Sequence, residues 1–119
     1  MKRGLFMSNF MNKLYEISEL KDGWDNDREC KAFSKLLIER CERMANQMNS
    51  LTEIRPTIDG CICFDFDNDV IDMEICVYDN EIQGFVSNPA EDASLFTFET
   101  ETDAVNFWNN IVELYKQTL

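Results

Sequence analysis

Histidine is absent from the 119 residues, and basic residues become scarce after the first 50. Without histidine the chain lacks the commonest general base of enzymes and the commonest metal ligand. Residues 1–50 carry 9 Lys and Arg against 8 Asp and Glu, whereas residues 51–119 carry 2 against 15. The excess negative charge therefore lies in the second part of the chain. It disfavours direct contact with nucleic acid or an anionic membrane and favours a basic protein partner.

Long apolar runs are also absent, since no stretch approaches the ~20 apolar residues of a membrane span. The basic start is not followed by an apolar segment, so we expect no secretory signal. The five cysteines are an odd number without a close-spaced framework, which indicates free thiols in a reducing cytoplasm. From this length and composition we expect a single cytoplasmic domain over residues 1–119.

The clearest pattern is the alternation of apolar residues in the middle of the chain, which predicts antiparallel strands with one face towards a core. The alternating residues are Ile62, Phe64, Phe66, Ile71, Met73, Ile75 and Val77. With Asn68–Asp69 and Asp79–Asn80 as two-residue loops, every inward residue meets an inward residue. Asp65 then lies opposite Asp72, a like-charge pair that needs water, a cation or a basic partner.

Helical spacing predicts the flanking elements. A first helix is expected from Ser8–Asn9 to Gly23, and a long second helix from an Asp27 cap to Leu51. We interpret 54–60 as an exit loop broken by Pro56, and 87–94 as a polar loop before an edge strand at 95–98. Thr100 begins a capping box for the last helix. The prediction is an α+β fold with two N-terminal helices, an antiparallel meander of three or four strands and a C-terminal helix.

Two short motifs resemble a group of small uncharacterised bacterial and phage proteins. The motifs are a G-W-D turn at Gly23–Trp24–Asp25 and a P-x-x-D-G-x-I strand entry from Pro56 to Ile62. Members usually have Gly where this chain has Asn26, and Glu-Trp where it has Asp65–Phe66. The resemblance implies the same α+β order and a bacterial or phage origin, and it brings no activity with it.

Candidate chemistry is sparse. No phosphate loop, dinucleotide fingerprint or nucleophile motif occurs, so we expect a non-enzyme without catalytic residues, cofactor or metal. A metal-binding module remains an alternative, because Cys61, Cys63 and Cys76 converge on one sheet face. Their spacing along a strand differs from the paired turns of structural zinc sites, and free thiols under a covering helix are the simpler interpretation.

The acidic residues of the hairpins are the predicted partner-binding surface, with Phe85 and Trp24 as apolar anchors. Trp24 has a structural interpretation too, as a plug between the first two helices. The carboxylates concerned are Asp65, Asp67, Asp69, Asp72, Glu74, Asp79 and Glu81.

In bulk the chain resembles phage-encoded inhibitors of bacterial defence nucleases, including anti-CRISPR proteins, which are short, acidic and without catalytic motifs; the resemblance implies mimicry of nucleic acid. The expected partner is therefore a nuclease or CRISPR effector. An antitoxin or immunity protein that neutralises a basic nuclease toxin is one alternative, and acidity that serves only solubility is another. A homodimer is compatible with the sequence.

Overall fold

Residues 2–25, 30–88 and 91–116 are described by a computed structural model, and they form three helices and a five-stranded antiparallel sheet. The helices are α1 (Lys2–Ser18), α2 (Lys35–Ala45) and α3 (Glu101–Lys116). The strands, adjacent in chain order, are β1 (Glu53–Pro56), β2 (Ile62–Asp67), β3 (Asp72–Val77), β4 (Ile82–Asn88) and β5 (Glu91–Phe98). The α+β class and the helix–helix–sheet–helix order are confirmed. The predicted three or four strands are wrong, because the sheet has five.

The β3–β4 hairpin has the predicted register, in which Val77 faces Ile82 around the Asp79–Asn80 loop. In the β2–β3 hairpin the two-residue loop lies one position later than predicted, so Phe66 faces Met73 and Asp67 faces Asp72. The cause is Asn68, whose Oδ1 accepts hydrogen bonds from the backbone N–H groups of Val70 and Ile71 at 2.8 and 2.9 Å. This side-chain turn makes Asp69–Val70 the loop. Moving the loop by one position changes each pairing partner by two residues, so the inward and outward faces remain as predicted.

The two outer strands differ from the prediction: β1 was not predicted as a strand, and β5 is longer than predicted. β1 occupies residues that were expected to be an exit loop, and it tolerates Pro56 because it is an edge strand. The backbone N–H of Thr57 donates to the Cys61 carbonyl, so the nitrogen of Pro56 faces away from β2. β5 begins at Glu91 rather than Leu95, which places part of the expected polar loop in a hairpin with β4.

Helix α2 is shorter than predicted. The expected Asp27 cap lies outside the described residues, and residues 30–34 are not helical. Ser34 is the observed N-cap, with its Oγ accepting from the Leu37 N–H at 3.1 Å. The helix ends at Ala45 because the next turn bonds to α3, where Asn109 contacts the backbone of Gln47 and Asn49.

Of the other two helices, α1 differs from the prediction at both ends, whereas the cap of α3 is as predicted. Helix α1 begins at Lys2 and ends at Ser18, so both bounds expected from the sequence are wrong. Gly23 has a positive φ of 80° in the connector that follows. Thr100 caps α3 as predicted, since its Oγ1 accepts from the Asp103 N–H at 3.0 Å.

All three helices contribute to the same core cluster as the inward side chains of the sheet. Trp108 of α3 is fully buried at its centre, with its ring edge-on to Phe66 at a centroid distance of 6.3 Å. Its indole N–H donates to the Asn49 carbonyl at 2.7 Å. The helices therefore lie on one side of the sheet and leave the opposite side, here called the outer face, without a helix among the described residues. None of the described helices is long and apolar enough to cross a membrane.

Candidate functional site

The outer face consists of side chains that alternate with the core residues along each strand. The register aligns them in rows across the sheet. One row is Cys63, Cys76, Gln83 and Thr97; the next is Asp65, Glu74, Phe85 and Leu95; the third is Asp67, Asp72 and Ser87. This face carries most of the residues that the sequence singled out.

The middle of the outer face is an ion-pair cluster around Arg55 of β1. The Arg55 Nε donates to Asp65 Oδ2 at 3.0 Å, and its Nη2 donates to Glu74 Oε2. Partial burial raises the pKa of the Asp65 carboxyl above its ordinary value, and the Arg55 charge opposes that shift. The expected Asp65–Asp72 pair is therefore wrong, since Asp65 lies opposite Glu74 and both carboxylates share an arginine of the same chain.

The β2–β3 hairpin end carries three exposed carboxylates, Asp67, Asp69 and Asp72. Asp67 lies directly opposite Asp72, which is where the like-charge pair is found. Burial, then the charges of Asp67 and Asp65, raise the pKa of the Asp72 carboxyl. Within the described ranges no Lys or Arg forms a salt bridge with these three residues. This end of the face is therefore where negative charge is least compensated.

The opposite end of the sheet carries Asp79 and Glu81, which have contacts inside the molecule. Asp79 Oδ1 accepts from the Ser34 hydroxyl at 2.7 Å, which ties the start of α2 to the β3–β4 turn. Glu81 Oε2 accepts from the Gln83 amide at 2.6 Å. About six strand residues separate this turn from the Asp67–Asp72 pair, a span of ~20 Å. The predicted carboxylate series is thus divided into two ends and a neutralised middle.

The two predicted apolar anchors lie in different places. Phe85 points to the outer face, half-buried, opposite Leu95, which is 79% exposed. Trp24 lies in the connector after α1, with its ring 5.9 Å from that of Phe33 and its indole N–H donating to the Lys31 carbonyl. The structure does not bring Trp24 to the outer face. Its position is consistent with the interpretation of Trp24 as a packed residue at the junction between the first two helices.

Three cysteines do converge on the outer face, as predicted. Cys63 and Cys76 lie directly opposite each other with sulfurs 2.6 Å apart, and Cys61 Sγ is 3.7 Å from Cys63 Sγ. The expectation of a covering helix is wrong for the described residues, because the helices lie on the other side of the sheet. Cys61 and Cys63 are nevertheless buried, whereas Cys76 is partly accessible.

The protonation of the three thiols is linked. A hydrogen bond from Cys63, together with bonds from Cys76, Thr57 and Tyr78, lowers the pKa of the Cys61 thiol. The same network raises the pKa of the Cys63 thiol, first through its bond to Cys61, and raises that of Cys76 through its bonds to Cys61 and Cys63. The three thiols therefore form one hydrogen-bonded group in which the pKa of each depends on the others.

An open groove of about 260 Å³ lies between the cysteines and β5. Its walls include Glu74, Cys76, Gln83, Phe85, Leu95 and Thr97. Sequence reasoning missed Arg55, Leu95 and Tyr78 at this face. Arg55 could have been singled out from the sequence, because it and Lys116 are the only basic residues after Ser50 and are surrounded by an excess of carboxylates. Leu95 and Tyr78 could not, since their positions depend on the strand register.

This arrangement offers three features to a ligand: uncompensated carboxylates, an exposed apolar pair and a group of thiols. No family model, curated protein or solved structure matches the chain. Its function is therefore inferred from the placement of its own residues.

Proposed function

We propose that this chain is a small acidic binding protein that inhibits a basic, nucleic-acid-handling protein by occupying its nucleic-acid-binding surface. The observation that carries the proposal is the pairing of Asp67 with Asp72 on a sheet face that no described helix covers. Like charges directly opposite each other on a sheet are destabilising. A cationic surface that lies over this pair relieves the repulsion between the two carboxylates, and that relief contributes to the binding free energy.

Charge complementarity defines the chemistry of the partner. Residues 51–119 carry 15 acidic and 2 basic residues, and Arg55 is already engaged by Asp65 and Glu74. The surface that remains is strongly negative, as a nucleic acid backbone is. Lysines and arginines that bind phosphates also bind carboxylates, and such attraction accelerates association at low salt.

The apolar part of the outer face supplies contact area next to the charges. Leu95 is 79% exposed and lies opposite Phe85, beside the groove that extends to Cys76. Aromatic and aliphatic side chains bordered by polar groups are the usual centre of a protein interface. We assign Phe85 and Leu95 as this centre, and the Asp67–Asp72 end as the steering part.

The test uses the immobilised protein to capture partners from bacterial lysate at low salt, with elution by a salt gradient and identification by mass spectrometry. Capture alone does not decide the question. The captured protein is therefore purified, and its binding to duplex DNA is measured with and without this chain. We expect competition between the chain and DNA, and release at moderate salt.

Two variants with equal changes in net charge separate the outer face from bulk acidity. The double substitution D67K/D72K is expected to weaken partner binding at least ~10-fold, because it reverses charge at the face. The control E16K/E19K changes two exposed carboxylates at the end of α1 and is expected to leave affinity within about twofold. Equal losses in both variants would show that only net charge matters. A partner that binds chain and DNA together would overturn the proposal of mimicry.

A further inference from the structure

The three cysteines of the outer face form a compact group of ligand atoms. The sulfurs of Cys61, Cys63 and Cys76 all lie within 4.8 Å of one another. Cys63 and Cys76 are cross-strand neighbours, whereas Cys61 comes from the end of the Thr57–Cys61 turn before β2. The end of a turn and two neighbouring strands thus supply the three thiols.

Sulfur spacing is close to that of a metal thiolate site. Thiolates ~2.3 Å from a tetrahedral zinc ion lie ~3.8 Å apart. The Cys61–Cys63 separation is 3.7 Å, so it needs no adjustment. The Cys63–Cys76 separation of 2.6 Å must open by about 1 Å, and Cys76 is the more accessible of the two. Cys76 borders the open groove, so its side chain has room to make that change.

A candidate fourth ligand, a carboxylate oxygen, lies beside the thiols. Glu74 Oε1 is 3.4 Å from Cys76 Sγ, while Oε2 of the same carboxylate accepts from Arg55. Arg55 thereby orients the carboxylate and places a positive charge next to the sulfurs, since it also lies opposite Cys63. Thr57 Oγ1 lies 3.1 Å from Cys61 Sγ, where its hydroxyl can donate to a thiolate. Such outer hydrogen bonds hold metal ligands in position.

We propose that Cys61, Cys63, Cys76 and Glu74 form a binding site for a thiophilic divalent cation of the zinc type. Three sulfurs and one carboxylate oxygen complete a tetrahedral set. Each S–H bond that is present breaks as the metal–sulfur bond forms, and its proton passes to solvent, so binding weakens at low pH. The site stands on residues other than the Asp67–Asp72 pair and does not depend on the proposed inhibition.

The experiment is a titration of the reduced, metal-free protein with Co²⁺, followed by displacement with Zn²⁺. We expect one Co²⁺ per chain, with sulfur-to-cobalt charge-transfer absorption and the visible bands of tetrahedral cobalt. Zinc is expected to slow the reaction of Cys76, the partly accessible thiol of the three, with a thiol reagent and to raise the thermal unfolding midpoint.

The variants C76S and C63S are each expected to lower the charge-transfer intensity per bound cobalt and to weaken binding. E74Q is expected to weaken binding at least ~10-fold with the band retained, because loss of a ligand costs no less than loss of an outer hydrogen-bond partner. The matched control C41A removes a thiol from the helix-side core and is expected to keep the full stoichiometry. Circular dichroism of each metal-free variant verifies that it is folded. The proposal is overturned if the reduced protein gives no charge-transfer band, or if C41A weakens binding as C63S does. It is equally overturned if Cys63 and Cys76 form a disulfide that added thiol does not reduce.

Discussion

The two tryptophans allow a controlled test of how the core stabilises the fold. Both indole N–H groups donate to a backbone carbonyl, Trp108 to Asn49 at 2.7 Å and Trp24 to Lys31 at 3.1 Å. Trp108 is fully buried, whereas Trp24 is only partly covered. Replacing each by phenylalanine therefore makes the same chemical change in two environments.

The magnitude for Trp108→Phe follows from two losses. An indole exceeds a phenyl ring by ~40 Å³, and an unfilled cavity costs ~24 cal/mol per Å³, which gives about 1 kcal/mol. The missing hydrogen bond to the part-buried Asn49 carbonyl adds about 1–2 kcal/mol. The free energy of unfolding is thus expected to fall by ~2–3 kcal/mol. Trp24→Phe is expected to cost below ~0.5 kcal/mol, because water reaches the Lys31 carbonyl.

Urea unfolding followed by far-UV circular dichroism measures both variants with the same probe. With a slope of about 1–2 kcal/mol per molar urea, the Trp108→Phe midpoint should fall by ~1–3 M. In Trp24→Phe the single remaining tryptophan is Trp108, and its emission should stay at the short wavelength of a buried indole until unfolding. Equal destabilisation by both substitutions would refute the reasoning, since it would mean that burial of Trp108 contributes nothing specific.

Two further predictions concern the sheet. Asp72→Asn is expected to raise stability at pH 7 by a few tenths of a kcal/mol, because it removes the repulsion from Asp67. The pKa of the Asp72 carboxyl is raised above its ordinary value of 3.8, so its charged form destabilises the fold above that pH. The benefit of the substitution should therefore vanish as the pH falls below about 4. Urea unfolding at pH 7 and pH 3.5 measures this, and a loss of stability at pH 7 would contradict it. Gly84→Ala places a Cβ 2.7 Å from Cε2 of Phe98, which should cost ~1–2 kcal/mol through overpacking. Adding Phe98→Leu should return part of that loss in a double-mutant cycle, whereas strictly additive effects would show that the ring is not the obstacle.

The register of the two hairpins shows how far alternation can predict pairing. Alternation assigned the inward faces correctly in both, because the parity of a strand is fixed by its apolar residues. It could not distinguish Asn68–Asp69 from Asp69–Val70 as the loop, since both match inward residues with inward residues. The choice is made by the Asn68 side chain, which caps the backbone of Val70 and Ile71. Asn68 was visible in the sequence, but its preferred position in the turn was not.

The remaining errors arise where distant contacts decide local structure. The apolar stripe through Cys30, Phe33 and Leu51 has helical spacing, yet helix α2 covers only Lys35–Ala45. The Gly23 N–H donates to the Cys30 carbonyl at 2.7 Å, and the Ala32 N–H donates to Asp22 at 2.9 Å. These bonds tie residues 30–34 to the preceding connector, and the helix begins only after them. β1 was missed for a related reason, because Pro56 is a breaker in general and is compatible only with an edge position.

The candidate site was partly predictable for the same reasons. That three cysteines and several carboxylates share one face follows from parity alone, and this was confirmed. Which of them are neighbours depends on register and on β1. The predicted register pairs Cys61 with Cys76, whereas the observed one pairs Cys63 with Cys76 and leaves Cys61 beside them.

Arg55 determines which carboxylates are available to a partner. It is one of two basic residues after Ser50, and both of its pairs, Asp65 and Glu74, lie inside the chain. A cationic partner that approaches the middle of the outer face therefore meets a carboxylate pair already neutralised, next to a positive guanidinium. It gains more at the Asp67–Asp72 end, where repulsion is uncompensated. In the proposed metal site, three thiolates and Glu74 outweigh the charge of a divalent cation, and the Arg55 guanidinium beside them offsets part of the excess negative charge. The proposed protein binding and the proposed metal binding thus use different residues of one face, and each can be abolished by substitution without removing the residues of the other.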